Sequence, residues 1–282
     1  MNHRERFLEL QSVLNAHQAF WRPAPFYVRR PEWCAHWPAL ADAVLGLDDA
    51  TLERLGADPE ANLAWLETLL PLAGQLGALC DVPRLAMRDL PPSDAHFDWH
   101  IPGRKREQID AFAAQGPASR APLLEWCAGK GHLGRRLAIT DRLPVRSLEI
   151  DPTLCEDATR LAARSGIEQT VLCADALDEA SRSHVRDHAV LALHACGELH
   201  RSLVRTAAHD GAHSYRIAPC CYYRGAQDGY RPLSRDAALA LDGNALRLAV
   251  TETVKAPLRI RQRLARDQAW KLGFVALRNQ IQ

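Results

Sequence analysis

The run Glu125-Trp126-Cys127-Ala128-Gly129-Lys130-Gly131-His132-Leu133-Gly134 joins an apolar stretch to a helical one, so its glycines must make a tight strand-to-helix turn. Residues without a Cβ reach the dihedrals such a turn needs and let a ligand approach the backbone beside a helix N-terminus. Gly129, Gly131 and Gly134 fit GxGxxG, and Glu149 closes the next apolar run, where a ribose hydroxyl would be held. A third run closes in Cys173-Ala174-Asp175-Ala176, which sets a further acid at a strand end. The glycine pattern alone suits a dinucleotide as well as a cationic nucleoside. Glu125 bears on the choice: a carboxylate four residues before Gly129 repels a pyrophosphate and attracts a sulfonium and an ammonium group, which favours S-adenosylmethionine.

Two more apolar runs end in chemistry, Leu193-His194-Ala195-Cys196-Gly197 and Pro219-Cys220-Cys221-Tyr222-Tyr223. In an open parallel sheet ligands bind outside the carboxyl ends of the strands, so these ends should face a transferred group. Methyl transfer is an in-line displacement in which alignment supplies much of the acceleration. A hydroxyl acceptor must also lose a proton, which the His194 imidazole could take; a histidine that only ties two loops together is the open alternative. Cys196, Cys220 and Cys221 with His194 are zinc-ligand types, but adjacent cysteines and the absence of a CxxC pair argue against zinc, and no metal is expected. Nothing in the sequence signals a lowered thiol pKa at any of them. Tyr222 and Tyr223 suit a flat acceptor by stacking, or the core.

Together these residues resemble the class I S-adenosylmethionine-dependent methyltransferases over roughly residues 105–256. The order GKGHL, LHACGEL, PCCYY resembles a narrower group, methyltransferase-domain proteins with HACG and CCY motifs related to the tRNA ribose 2′-O-methyltransferases. The resemblance implies Glu125, Gly129 and Gly131 around the methionine part, with Cys127 and Ala128 in the same turn. It implies Glu149 at the ribose, and Asp175 with Ala176 at the adenine. Cys127 departs from the pattern, standing where such loops commonly carry a glycine. Candidate catalytic residues are His194, Cys196, Cys221 and Tyr222; Lys105 and Tyr223 are candidates for the substrate.

These positions need a scaffold. From residue 121 onward short apolar runs alternate with helical segments, the pattern of crossover connections and a parallel sheet, with strands expected at 122–128, 145–150, 170–174, 189–196 and 215–221. Between the second and third, Asp151 reads as an N-cap, Pro152 as the first helical residue and Gly166 as the stop. Residues 1 to about 115 show helical spacing, broken by Pro23, Pro25, Pro31 and Pro38, among which Trp21, Trp33 and Trp37 are expected in the core. A linker at 89–105 precedes a helix opened by Arg104, Lys105 and Arg106. After Pro232 mainly helix is expected, although 246–254 reads equally as a strand. The expected architecture is α/β, a Rossmann-like class I methyltransferase core with a mostly parallel sheet at 104–282, after an N-terminal all-helical domain at 1–103.

The 282 residues hold 35 basic and 34 acidic side chains and are 47% apolar, which excludes a disordered or fibrous chain. No apolar run reaches membrane-spanning length, the first residues are charged rather than leader-like, and the eight scattered cysteines suggest reduced thiols. A cytoplasmic protein with no membrane partner is therefore expected. The balanced total hides an asymmetry: residues 41–98 carry eleven acids and three bases, residues 255–278 seven bases and one acid. Arg259, Arg261, Arg263, Arg266 and Lys271, with Arg104 to Arg106, suggest phosphate contacts and an RNA substrate. A protein or small-molecule methyltransferase, a non-catalytic cofactor-binding scaffold and a nicotinamide oxidoreductase stay open as alternatives.

Overall fold

A computed structural model describes residues 2–23, 30–93, 97, 101–226, 229–249 and 258–281. The chain divides into two compact units, one of Arg84–Leu233 and one of Met1–Pro83 with Ser234–Gln282. The division falls at different residues from the expected boundary at 103. It also assigns the C-terminal segment to the helical unit.

That helical unit begins with α1 (His3–Ala16), α2 (Gln18–Trp21), α3 (Trp33–His36), α4 (Pro38–Leu45), α5 (Asp49–Ala57), α6 (Pro59–Glu67) and α7 (Pro71–Cys80). Its starts follow local signals: Asn2 and Glu5 form a reciprocal capping box, Asp48 and Asp58 cap α5 and α6, and α4, α6 and α7 each open on proline. Val13, Leu40, Leu70, Leu72 and Leu79 form its core, with Trp33 and Trp37 packed edge-on to Phe20 at its margin. The C-terminal segment joins α1 through polar bonds: Asp236 takes both Arg4 and, by its carbonyl, Gln11, whose Oε1 accepts from the Ala238 amide. Residues 243–248 are helical (α12, Gly243–Leu248), which settles the first part of the ambiguous 246–254 stretch; Val250 to Val254 lie outside the described residues. Pro25 does too. The unit ends in α13 (Leu258–Ile281), on which Arg259, Arg263 and Arg266 are exposed along one side; the Arg261 side chain lies outside the described set.

The second unit is a five-stranded, wholly parallel sheet in the order β3-β2-β1-β4-β5. Its elements are α8 (Gly103–Ala114), β1 (Leu123–Trp126), α9 (His132–Asp141), β2 (Val145–Glu149), α10 (Pro152–Ser165) and β3 (Gln169–Cys173). A 3-10 turn at Ala180–Val185 leads into β4 (Ala189–Cys196), α11 (Glu198–Thr206) and β5 (Ser214–Cys220). All five strands lie within or beside the expected stretches, and Asp151 caps α10 by accepting from the Thr153 and Leu154 amides. The fold is thus the expected Rossmann-like α/β class. Strand order reverses between β1 and β4, and a crevice opens at such a switch point because the crossovers leave in opposite directions.

Two apolar layers sandwich the sheet. One contains Leu123, Leu133, Leu137, Val145 and Leu191 with Ile109 and Phe112 of α8; the other contains Leu124, Trp126, Leu148, Val190, Ala192 and Leu203. Strand alternation therefore sends Leu123 and Glu125 to the α9 side and Leu124 and Trp126 to the other. No helix among the described residues is long and apolar enough to cross a membrane.

Candidate active site

A crevice of about 520 Å³ opens at the carboxyl ends of the central strands. Cys127, Glu149, Asp175, Ala176, His194 and Cys196, all singled out in the sequence, line it together. Glu149 ends β2, and its carboxylate is fixed from both sides. Oε2 accepts from the Gly129 amide at 2.7 Å, while Oε1 accepts from the amides of Ile150 and Asp151 at 3.0 and 3.1 Å. Oε2 keeps a second lone pair for a ligand hydroxyl, while both lone pairs of Oε1 are taken by the two amides. Asp175 is oriented by the Leu177 amide at 2.8 Å. Between the two acids Ile150 and Leu177 remain 59% and 44% exposed, an apolar clamp for a flat ring.

The three glycines of the turn divide their work. A Cβ at Gly129 would meet nothing within 4 Å, so the space above it is open to a ligand. A Cβ at Gly131 would lie 2.5 Å from Gln169 Nε2, and one at Gly134 would lie 2.6 Å from Glu125 Oε2. Those two glycines serve internal packing. Cys127, at φ +58°, takes a left-handed conformation without being glycine; burial, then Glu149, pushes its thiol up to about 12, which keeps it protonated. Ala128 donates its amide to Leu148, tying the turn to β2. Lys130 pairs with Asp157 at 2.8 Å on α10.

Glu125 sits elsewhere than the crevice wall. It is 4% exposed, beneath α9, and its Oε2 accepts from Ser147 Oγ at 2.8 Å; Gln169 Nε2 donates to that same Oγ at 2.7 Å and to the Gly131 carbonyl. Burial pushes its pKa up to about 7, against the Ser147 and Gly134 bonds and the charges of Lys105 and Arg135. The strand-alternation parity that the sequence shows could have found this. Behind it His132, buried, accepts at Nδ1 from Arg135 and is pushed down to about 3 by burial and by Arg135, so it stays neutral.

At the ends of β4 and β5, α8 does positioning that the sequence did not announce. Ile109 and Phe112 sink into the core, and Asp110 pairs with the buried Arg136 of α9 at 2.7 Å. The preceding turn then brings Gln108 to His194, Nε2 to Oε1 at 3.1 Å. Lost solvent contact, then the charges of Lys105 and Arg104, lower the His194 pKa. His194 stands at φ +64° in an irregular register between Leu193 and Cys196. Gly197 follows at φ +54°; a Cβ there would lie 2.0 Å from the Arg224 carbonyl oxygen, so only glycine lets the 221–225 loop close beside β4 and bring Arg224 and Gly225 into the wall. Cys221 adopts φ +48°, and Tyr222 is half-buried, packed edge-on to His200 at 5.4 Å rather than lining the crevice. Tyr223 is half-buried beside Arg224.

The donor set suits S-adenosylmethionine: a partly paired carboxylate for ribose hydroxyls, a second acid beside an apolar clamp for adenine, and open backbone at Gly129. Residues 105–227 match the family model described as a methyltransferase domain. No curated protein matches the chain. Solved structures similar in fold include TYW2 of P. horikoshii in complex with MeSAdo (16% identity, 40% of this chain and 41% of that one, TM-score 0.33). TrmK of M. capricolum with S-adenosyl-homocysteine is another (10%, 42% and 51%, 0.33), and the cyclopropane synthase MmaA2 of Mycobacterium tuberculosis a third (17%, 43% and 45%, 0.33). The aligned part spans about half or less of each of these chains. The family match and the crevice chemistry support a methyltransferase whose cofactor is S-adenosylmethionine.

Proposed function

We propose that the protein methylates RNA, with His194 as the residue that orients and deprotonates a ribose hydroxyl. The observation that carries this reading is the cationic collar at the reacting end: the charges of Arg104 and Lys105 act on His194, and Arg224 lines the crevice beside it. Cations at that spot attract a phosphate backbone and hold its register. The exposed Arg259, Arg263 and Arg266 of α13 add a basic helix face on the other unit.

When bound, S-adenosylmethionine supplies a methyl group made electrophilic by a positive sulfur. The protein's part is positional. Gln108 Oε1 accepts from His194 Nε2–H, which leaves the Nδ1 lone pair to take a hydroxyl proton. Glu149, locked by three amides, and Asp175 fix the nucleoside end, so that alignment of acceptor and donor is set before reaction.

The test is radiolabelled methyl transfer from S-adenosylmethionine to fractionated tRNA, rRNA and protein, with mass spectrometry of the labelled product. Label in an RNA ribose, with affinity falling steeply as salt is added, is the expected result. Label confined to protein or a small molecule would overturn the RNA assignment while leaving the methyltransferase standing.

A further inference from the structure

We propose that Cys196, Cys220 and Cys221 form a three-thiolate binding site for one soft divalent cation of the zinc class, set between the ends of β4 and β5. Their sulfur atoms all lie within 4.8 Å of one another, and the Cys196 and Cys220 sulfurs are 3.3 Å apart. Three sulfurs about 2.3 Å from a tetrahedral zinc ion are about 3.8 Å from each other, inside that span. Small side-chain movements would seat the ion.

The spacing that argued against a metal is overcome by three structural facts. Cys196 and Cys220 are direct partners across the parallel β4–β5 pair, so two thiols far apart in sequence start as neighbours. Adjacent residues of a strand point to opposite faces, which should separate Cys220 from Cys221. Cys221 escapes that rule because its φ of +48° turns the chain at the strand end and swings its thiol to the same side. A non-glycine residue in this conformation costs about 1–2 kcal/mol and persists where the surroundings impose it. Gly197 N–H, bonded to the Cys220 carbonyl at 3.2 Å, clamps the two strand ends together. Arg224 beside Cys196 offsets the negative charge that three thiolates leave on a divalent ion. Cys196 also lines the crevice, so solvent can reach a fourth coordination position. The site would stiffen the wall that carries His194 and Arg224, and binding of the ion does not depend on which acceptor is methylated.

The experiment uses the full chain, purified under reducing conditions without a metal-chelating tag and stripped with a chelator. Zn²⁺ is titrated in competition with a chromophoric chelator, and Cd²⁺ is titrated while its thiolate charge-transfer absorption is followed. One equivalent of each, with absorption for three thiolates, is expected. Cys220→Ser and Cys221→Ser should each weaken Zn²⁺ binding by more than the ~10–100-fold typical of losing an outer-shell partner, and Cys80→Ser, an exposed cysteine of the helical unit, should change nothing. Reduced wild-type protein that binds neither ion, or that shows the full Cd²⁺ absorption after Cys220→Ser/Cys221→Ser replacement, would overturn the proposal; the wild-type titration decides it even if a variant fails to fold.

Discussion

The β1–α9 turn and the ends of β4 and β5 flank one crevice, yet they are built on opposite principles. At the turn the groups behind the backbone are paired inward: Glu125 with Ser147, Ser147 with Gln169, Gln169 with Gly131. What remains for a ligand is backbone at Gly129 and the fixed Glu149. At the β4 and β5 ends the left-handed positions include His194 and Cys221, residues that bear reactive atoms, and the three thiols are bonded to little beyond one another. At the strand ends left-handed backbone falls on residues with reactive side chains, whereas the turn carries it on Gly129 and Gly131 as well as on Cys127, over an interior in which Gln169 Oε1 and Arg135 Nε are buried without a partner among the described residues.

That contrast can be broken most decisively at His194. His194→Ala should lower methyl-transfer kcat by about 100-fold or more while S-adenosylhomocysteine affinity, measured by calorimetry, stays within about twofold. Unchanged turnover would reduce the histidine to a loop tie and remove the division between seat and reacting end.

Gly197→Ala is next in size. It combines left-handed strain with a backbone contact of 2.0 Å and should cost about 3 kcal/mol in urea unfolding. Gly134→Ala, at the turn, meets the Glu125 side chain at 2.6 Å and Val145 at 2.9 Å, and should cost about 1–3 kcal/mol through overpacking alone. Equal stability of either variant with wild type would mean that the corresponding wall is looser than its geometry.

Glu125→Gln sharpens the comparison from the interior side. The folded protein holds the Glu125 proton up to about pH 7, above the usual glutamate value of 4.5, so this group's contribution to stability is greatest below pH 4.5 and declines as pH rises through 7. The full window corresponds to about 3 kcal/mol. Urea unfolding at pH 5 and pH 8 should show wild type losing more stability than Glu125→Gln across the interval. Parallel losses would mean that the carboxylate is solvated, and hence that it faces the crevice after all.

Much of this was legible along the chain because the signals are local. Apolar runs located all five strands, Asp151 and Gly166 bounded α10, and the acids at 149 and 175 fell at strand ends that a parallel sheet must bring to one edge. A glycine turn between strand and helix needs no partner elsewhere to be recognised. The sequence also exposed the reactive residue types at 194, 196, 220 and 221, without their arrangement.

Tertiary structure alone decided which of those residues meet. Burial of Glu125 away from the crevice follows from β1 lying between β2 and β4 with α9 above it. The approach of Gln108 to His194, 86 positions apart, depends on α8 being anchored by Ile109, Phe112 and Asp110. The convergence of Cys196 with Cys220 and Cys221 depends on the β4–β5 register and on one left-handed residue, and the attachment of residues 234–282 to the first helices rests on bonds spanning more than two hundred positions. Caps, turns and periodicity act between residues a few positions apart and so can be read in order. Contacts between distant segments are set by how whole elements pack, and no short stretch of sequence encodes that alone.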